Sequence, residues 1–135
     1  MQVLKQDKFP IKTQNDIVII RKEVRALAMQ LGLGIIDQTK VVTAASELAR
    51  NTLDYGGGGE MELETIQNES LRKGLRLTFA DQGPGIANLE LALTDGYTTG
   101  GGLGMGMSGS KRLMNEFHVE TEIGKGTRVI ATKWK

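Results

Sequence analysis

Six glycines, Gly100, Gly101, Gly102, Gly104, Gly106 and Gly109, fall within ten positions of this 135-residue chain. That density opens backbone conformations that other residues resist, and it leaves no side chains between the main chain and a ligand. Lys111, Arg112, Leu113, Met114, Asn115 and Glu116 follow and form helices readily. The spacing therefore predicts a glycine loop feeding a helix N-terminus, where unpaired N–H groups and the helix dipole favour an anion such as phosphate. Leu103, Met105 and Met107 alternate through the run as buried anchors would, which argues against a plain linker. Gly104, Gly106 and Gly109 also spell GxGxxG, but no apolar strand precedes them and position 124 is Gly124 rather than an acid, so the dinucleotide fingerprint is incomplete. A GxxxxGK[ST] phosphate loop is absent as well.

The chain length suits one domain spanning 1–135, long enough to bury about two thirds of its unfolded surface. No apolar run approaches the eighteen or so residues that cross a bilayer, and Lys5, Asp7 and Lys8 interrupt any signal-peptide pattern, so the expected location is the cytoplasm, away from the membrane. Zero cysteines and the single His118 leave no thiolate or histidine metal site, so any metal should be a hard, oxygen-bound ion such as magnesium. A net charge of +1 with 4% aromatic residues supplies neither the basic field nor the stacking surface of a nucleic-acid binder.

Along the chain, Val3 to Ile11 reads as a strand, with Pro10 marking either an edge or the end of that strand. Ile17, Ile20, Val24, Leu27, Ala28 and Leu31 recur at helical spacing after possible caps at Thr13, Asn15 or Asp16, with Gly32 and Gly34 as terminators. Arg21, Lys22 and Arg25 lie on that helix's exposed side. A second helix is expected from about Asp37, acting as its cap, to Tyr55, where Gly56 to Gly59 stop it. Its buried face holds Val41, Ala45, Leu48 and Thr52, and the i, i+4 pair Glu47 and Asn51 brings a carboxylate and a carboxamide onto one surface. Glu60 to Ile66 and Leu75 to Phe79 alternate as a hairpin that runs into Asp81, Gln82, Gly83, Pro84 and Gly85. Asp81, at a strand end beside two glycines, reads either as part of a plain turn or as a carboxylate offered to an exocyclic amine. A short helix at Leu89 to Leu93 lies inside a lid-like connection from Ala87 to Thr99. Two final strands carry Phe117 to Ile123 and Thr127 to Trp134, with His118 on the outer face.

Taken in order, Glu47…Asn51, Asp81-x-Gly83-x-Gly85, Gly102-x-Gly104-x-Gly106 and Gly126-Thr127 resemble the four nucleotide-binding boxes of the GHKL superfamily of ATPases and kinases. SELARN (Ser46 to Asn51), DQGPGI (Asp81 to Ile86), GGLGMG (Gly101 to Gly106), KRLMNEF and the terminal ATKWK are similar to the RsbT-type switch kinases, serine/threonine protein kinases of bacterial stressosomes. The resemblance covers nearly the whole chain. The fold it implies is the Bergerat ATP-binding fold, an α/β two-layer sandwich with a mixed, mostly antiparallel sheet and helices on one face.

The resemblance also implies roles. Asp81 matches the acid that binds adenine and Thr127 the hydroxyl that assists it, with Gly83 and Gly85 making room for the base. Asn51 matches the residue whose side-chain oxygen holds magnesium between the phosphates of ATP. Gly102, Leu103, Gly104, Met105 and Gly106 match the loop that wraps those phosphates, Thr98 and Thr99 the lid near the γ-phosphate, and Glu47 the general base. The implied substrates are STAS-domain antagonist and scaffold proteins of a stressosome, and the released kinase is expected to activate a PP2C-type phosphatase. A nucleotide-dependent anti-sigma-factor-type binding protein is the alternative.

Overall fold

The computed structural model describes residues 1–93 and 103–135, with the side chains of 91, 92 and 103–106 not described, so Thr98, Thr99 and Gly102 lie outside the described residues. In chain order the elements are β1 (Gln2–Ile11), α1 (Gln14–Leu31), α2 (Ile35–Asp54), β2 (Gly59–Gln67), β3 (Lys73–Asp81), α3 (Leu89–Ala92), α4 (Leu103–Leu113), β4 (Glu116–Glu122) and β5 (Gly126–Trp134). The strands form one sheet in the order β1-β2-β3-β5-β4. Every pairing among the described residues is antiparallel, the expected mostly antiparallel sheet without a parallel pair.

One face of the sheet carries the core. Ile11, Met61, Leu63, Leu75, Leu77, Phe79, Val129 and Ala131 pack against Ile17, Ile20, Val24 and Leu27 of α1 and Val41, Ala45 and Leu48 of α2. The helical spacing in α1 and α2 therefore buries as the sequence predicts. Thr13 caps α1: its hydroxyl accepts from the Asp16 N–H at 3.2 Å while the Asp16 carboxylate accepts from the N–H of Lys12 (2.8 Å) and Thr13 (3.0 Å), a reciprocal box that satisfies first-turn amides. The Lys12 amide bond is the main cause that holds the Asp16 carboxyl below its usual range. Gly32, in the left-handed region at φ 90°, ends the helix.

Two expected boundaries move. Asp37 is not the cap of α2, which begins at Ile35 after Gly34; Asp37 sits in the first turn, 3.6 Å from the Lys133 ammonium. Nor does α4 begin at Lys111. It starts at Leu103, so Gly104, Gly106 and Gly109 lie inside a helix that ends at Leu113. Each interior glycine costs roughly 1 kcal/mol of helix propensity, and the burial of Met107, Ser108, Ser110 and Met114 beside α2 offsets it. At the far end the Asn115 N–H bonds the Thr132 carbonyl and turns the chain into β4.

The sheet's other face departs from simple alternation. Glu64 is only 4% exposed because Arg76, opposite it on β3, donates to it at 2.8 Å. That hydrogen bond is also the first cause raising the Arg76 pKa. Ile66 is buried on the same side of β2, where Trp134 covers Gly74. His118 stays on the exposed strand surface, as expected, with Nε2 3.5 Å from Glu120. Among the described residues no helix is long and apolar enough to cross a membrane.

Candidate functional site

Asp81 is the last residue of β3, opposite Gly59 of β2 and Thr127 of β5. Its Oδ1 accepts from the Gly83 N–H at 2.9 Å and the Thr127 N–H at 3.2 Å. Two backbone donors thus aim the carboxylate, and Oδ2 takes no hydrogen bond among the described residues.

The space in front of Asp81 is a cavity of about 230 Å³ between the C-terminal half of α2 and the ends of β3 and β5. Leu48, Asn51, Thr52 and Tyr55 of α2 form one wall, Phe79 and Val129 the sheet side, Pro84, Gly85 and Ile86 the loop side, and Met107 comes from α4. Of the residues named from the sequence, Asn51, Asp81, Gly85 and Thr127 therefore meet around one opening. Gly83 stands just behind it: a Cβ there would lie 2.7 Å from the Gly56 Cα, so the two glycine backbones touch. The Asn51 Nδ2 is buried without a partner among the described residues, a polar group awaiting a polar ligand.

Glu47 does not line the cavity. It is half-buried, one turn before Asn51 on α2. Leu103, Gly104, Met105 and Gly106 form the first turn of α4, which leads into Met107 at the cavity wall. The loop expected there is a helix start, and its first-turn amides have no carbonyl partner within the helix.

Sequence reasoning missed Tyr55, Gly56, Ile86, Met107 and the apolar floor of Phe79 and Val129. Gly56 had a signal. The run Gly56 to Gly59 reads from sequence as a loosened helix end, yet a Cβ at Gly56 would overlap the Asp81 carboxyl, with Oδ2 at 2.6 Å. At Gly59 it would overlap the Ala80 carbonyl, and Gly57 and Gly58 hold φ of 74° and 100°. The run is where α2 and the end of β3 come closest.

Residues 36–135 match the family of histidine kinase-, DNA gyrase B- and HSP90-like ATPases. The serine/threonine-protein kinase RsbT of Bacillus subtilis is 44% identical over 124 residues, 92% of this chain and 92% of that protein. The chain belongs to the RsbT-type kinases of this ATPase family. An anti-sigma F factor of Clostridium kluyveri is 33% identical over 129 residues, covering 93% of this chain and 90% of that one. Among solved structures, the RsbU and RsbW domains from Mycobacterium tuberculosis superpose with a TM-score of 0.64 at 16% identity, over 97% of this chain and 33% of that one. A chain of the SiaB-SiaC complex from Pseudomonas aeruginosa gives the same fold at a TM-score of 0.55 and 14% identity, over 98% of this chain and 91% of that one. The RsbT match covers nearly the full length of the chain, and the solved structures share the two-layer sandwich expected of it.

Proposed function

We propose that this RsbT-type chain transfers the γ-phosphoryl group of ATP to a serine or threonine hydroxyl of STAS-domain antagonist and scaffold proteins in the cytoplasm, and that the kinase released by this reaction engages a PP2C-type phosphatase. The observation that carries the reading is the convergence of Asn51, Asp81, Gly85 and Thr127 on one largely apolar cavity, with Asp81 Oδ2 free to meet an amine. An adenine ring suits that lining: its faces meet Phe79, Ile86, Met107 and Val129, and its exocyclic N–H meets a carboxylate already aimed by two amides.

The triphosphate then runs toward the first turn of α4, where the amides of Leu103, Gly104, Met105 and Gly106 lack helical partners and attract anionic oxygens. Thr98, Thr99 and Gly102 belong to the same phosphate-wrapping proposal. Asn51 lines the cavity; its side-chain oxygen would hold a magnesium ion, which when bound supplies charge neutralisation to the phosphates, and its unpartnered Nδ2 would donate to a phosphate oxygen. In the reaction, the bond from γ-phosphorus to the bridging oxygen breaks, one to the substrate hydroxyl oxygen forms, ADP leaves, and Glu47 accepts the hydroxyl proton. The transition state is loose, so alignment and charge stabilisation carry most of the acceleration, and a carboxylate beside the phosphates suffices as late base. Glu47's place outside the base pocket and one turn from Asn51 matches that division of labour.

Incubating the protein with γ-labelled ATP, magnesium and a STAS-domain protein should label a serine or threonine of the partner. Glu47→Ala should keep ATP affinity within about twofold and lose at least about 100-fold in transfer, the usual scale for a general base. ATP binding without transfer to any STAS protein overturns the substrate reading, and undiminished transfer by Glu47→Ala overturns the base. The relatives named anti-sigma F factors support a second reading, nucleotide-dependent capture of a sigma factor, for which a stable ATP-dependent complex is the expected sign.

A further inference from the structure

The Thr127 hydroxyl is held by a residue that neither lines the cavity nor belongs to any nucleotide-binding box named above. Thr121, on β4, sits directly opposite Thr127 in the β4–β5 pairing, with the two side-chain oxygens 2.9 Å apart. The same Thr121 Oγ1 donates to the Gly126 carbonyl at 3.2 Å and accepts from the Ile86 N–H at 2.9 Å. A hydroxyl has one proton and two lone pairs. The Gly126 carbonyl can only accept, so it takes the Thr121 proton; Ile86 occupies one lone pair, and the remaining lone pair takes the Thr127 proton. Every hydrogen-bonding capacity of Thr121 is then used.

We infer that Thr121 is the positioning residue that sets the hydrogen-bond polarity of the base pocket. With its proton committed to Thr121, Thr127 shows the cavity lone pairs only. Asp81 Oδ2 beside it is likewise an acceptor. Facing the 6-substituent of a purine, these acceptors favour the amino group of a 6-amino purine and repel the carbonyl oxygen of a 6-oxo purine. Thr121 also ties the Pro84 to Ile86 loop to the β4–β5 hairpin, together with the Gly124 N–H, which donates to the Pro84 carbonyl at 2.8 Å. The loop approaches so closely that a Cβ on Gly85 would overlap the Glu122 carbonyl. This inference rests on the adenine reading of the cavity and adds the residue that enforces it.

The test compares ATP with inosine triphosphate, its 6-oxo counterpart, by calorimetric titration of the full chain and of Thr121→Val and Thr121→Ser. Valine keeps the shape and deletes all three bonds; serine keeps the hydroxyl. Thr121→Val should weaken ATP binding about tenfold, the scale of one or two lost hydrogen bonds, and narrow the preference for ATP over inosine triphosphate. Its kcat at saturating ATP should stay within about twofold, because the reacting atoms are untouched. Thr121→Ser should retain both the affinity and the preference. Unchanged affinity and preference in Thr121→Val overturn the proposal, as does an equal loss in both variants. Weaker ATP binding at an unchanged preference reduces Thr121 to loop support and overturns the polarity claim. Wild-type protein that binds no ATP overturns the adenine reading and this inference together, whereas failure in Thr121→Val alone leaves the adenine reading standing.

Discussion

The glycines around Asp81 and Gly109 of α4 are the same residue type in opposite surroundings. Around Asp81, Gly56, Gly59, Gly83, Gly85 and Gly126 each stand where a Cβ would collide with neighbouring atoms. Gly109, in the middle of α4, has nothing within 4 Å of the position its Cβ would take. Glycine at the first region lets α2, the end of β3 and the β4–β5 hairpin press together into a rigid pocket rim. In α4 it weakens a helix that is held mainly by its buried face. Glycine count alone cannot separate a site that needs close approach from one that tolerates looseness.

The comparison yields three substitutions in descending order of effect. Gly126 combines φ of 105° with a Cβ position that overlaps the Asp81 carbonyl, so Gly126→Ala should destabilise the fold by roughly 2–4 kcal/mol through backbone strain and displacement. A urea midpoint equal to wild type would show that the rim yields easily and remove the contrast. Gly56→Ala meets the Asp81 side chain rather than backbone, so the chain should still fold while ATP affinity falls by at least about tenfold; unchanged affinity would detach the Gly56 run from the pocket. Gly109→Ala should raise stability by about 0.5–1 kcal/mol without changing ATP affinity, and a loss of stability there would put α4 in the same class as the rim.

Much of this was legible because local patterns and burial agree. The apolar spacing of α1 places Ile17, Ile20, Val24 and Leu27 in the core, and Thr13 caps the helix that Gly32 ends. Asp81 and Thr127 can be named from their boxes, and the structure makes them neighbours across β3 and β5. Asp37 misleads because a good capping residue two positions inside a helix looks the same in sequence as one at its start. The terminal ATKWK marks a family likeness without a physical reason until the strand is placed. There, Lys133, 6% exposed, donates to the Leu113 carbonyl at 3.0 Å and so fastens the end of α4, while Trp134 covers Gly74 and donates through Nε1 to Glu116.

By itself the sequence determined the helices α1 and α2, the alternating strands and the residue types that suit a nucleotide, because periodicity, capping and side-chain chemistry are local properties. Only the tertiary structure decided which glycines are needed, where α4 begins, and that Thr121 directs Thr127. Each of those depends on atoms distant in sequence arriving within a few ångströms, which is a consequence of packing and register that no short stretch encodes alone.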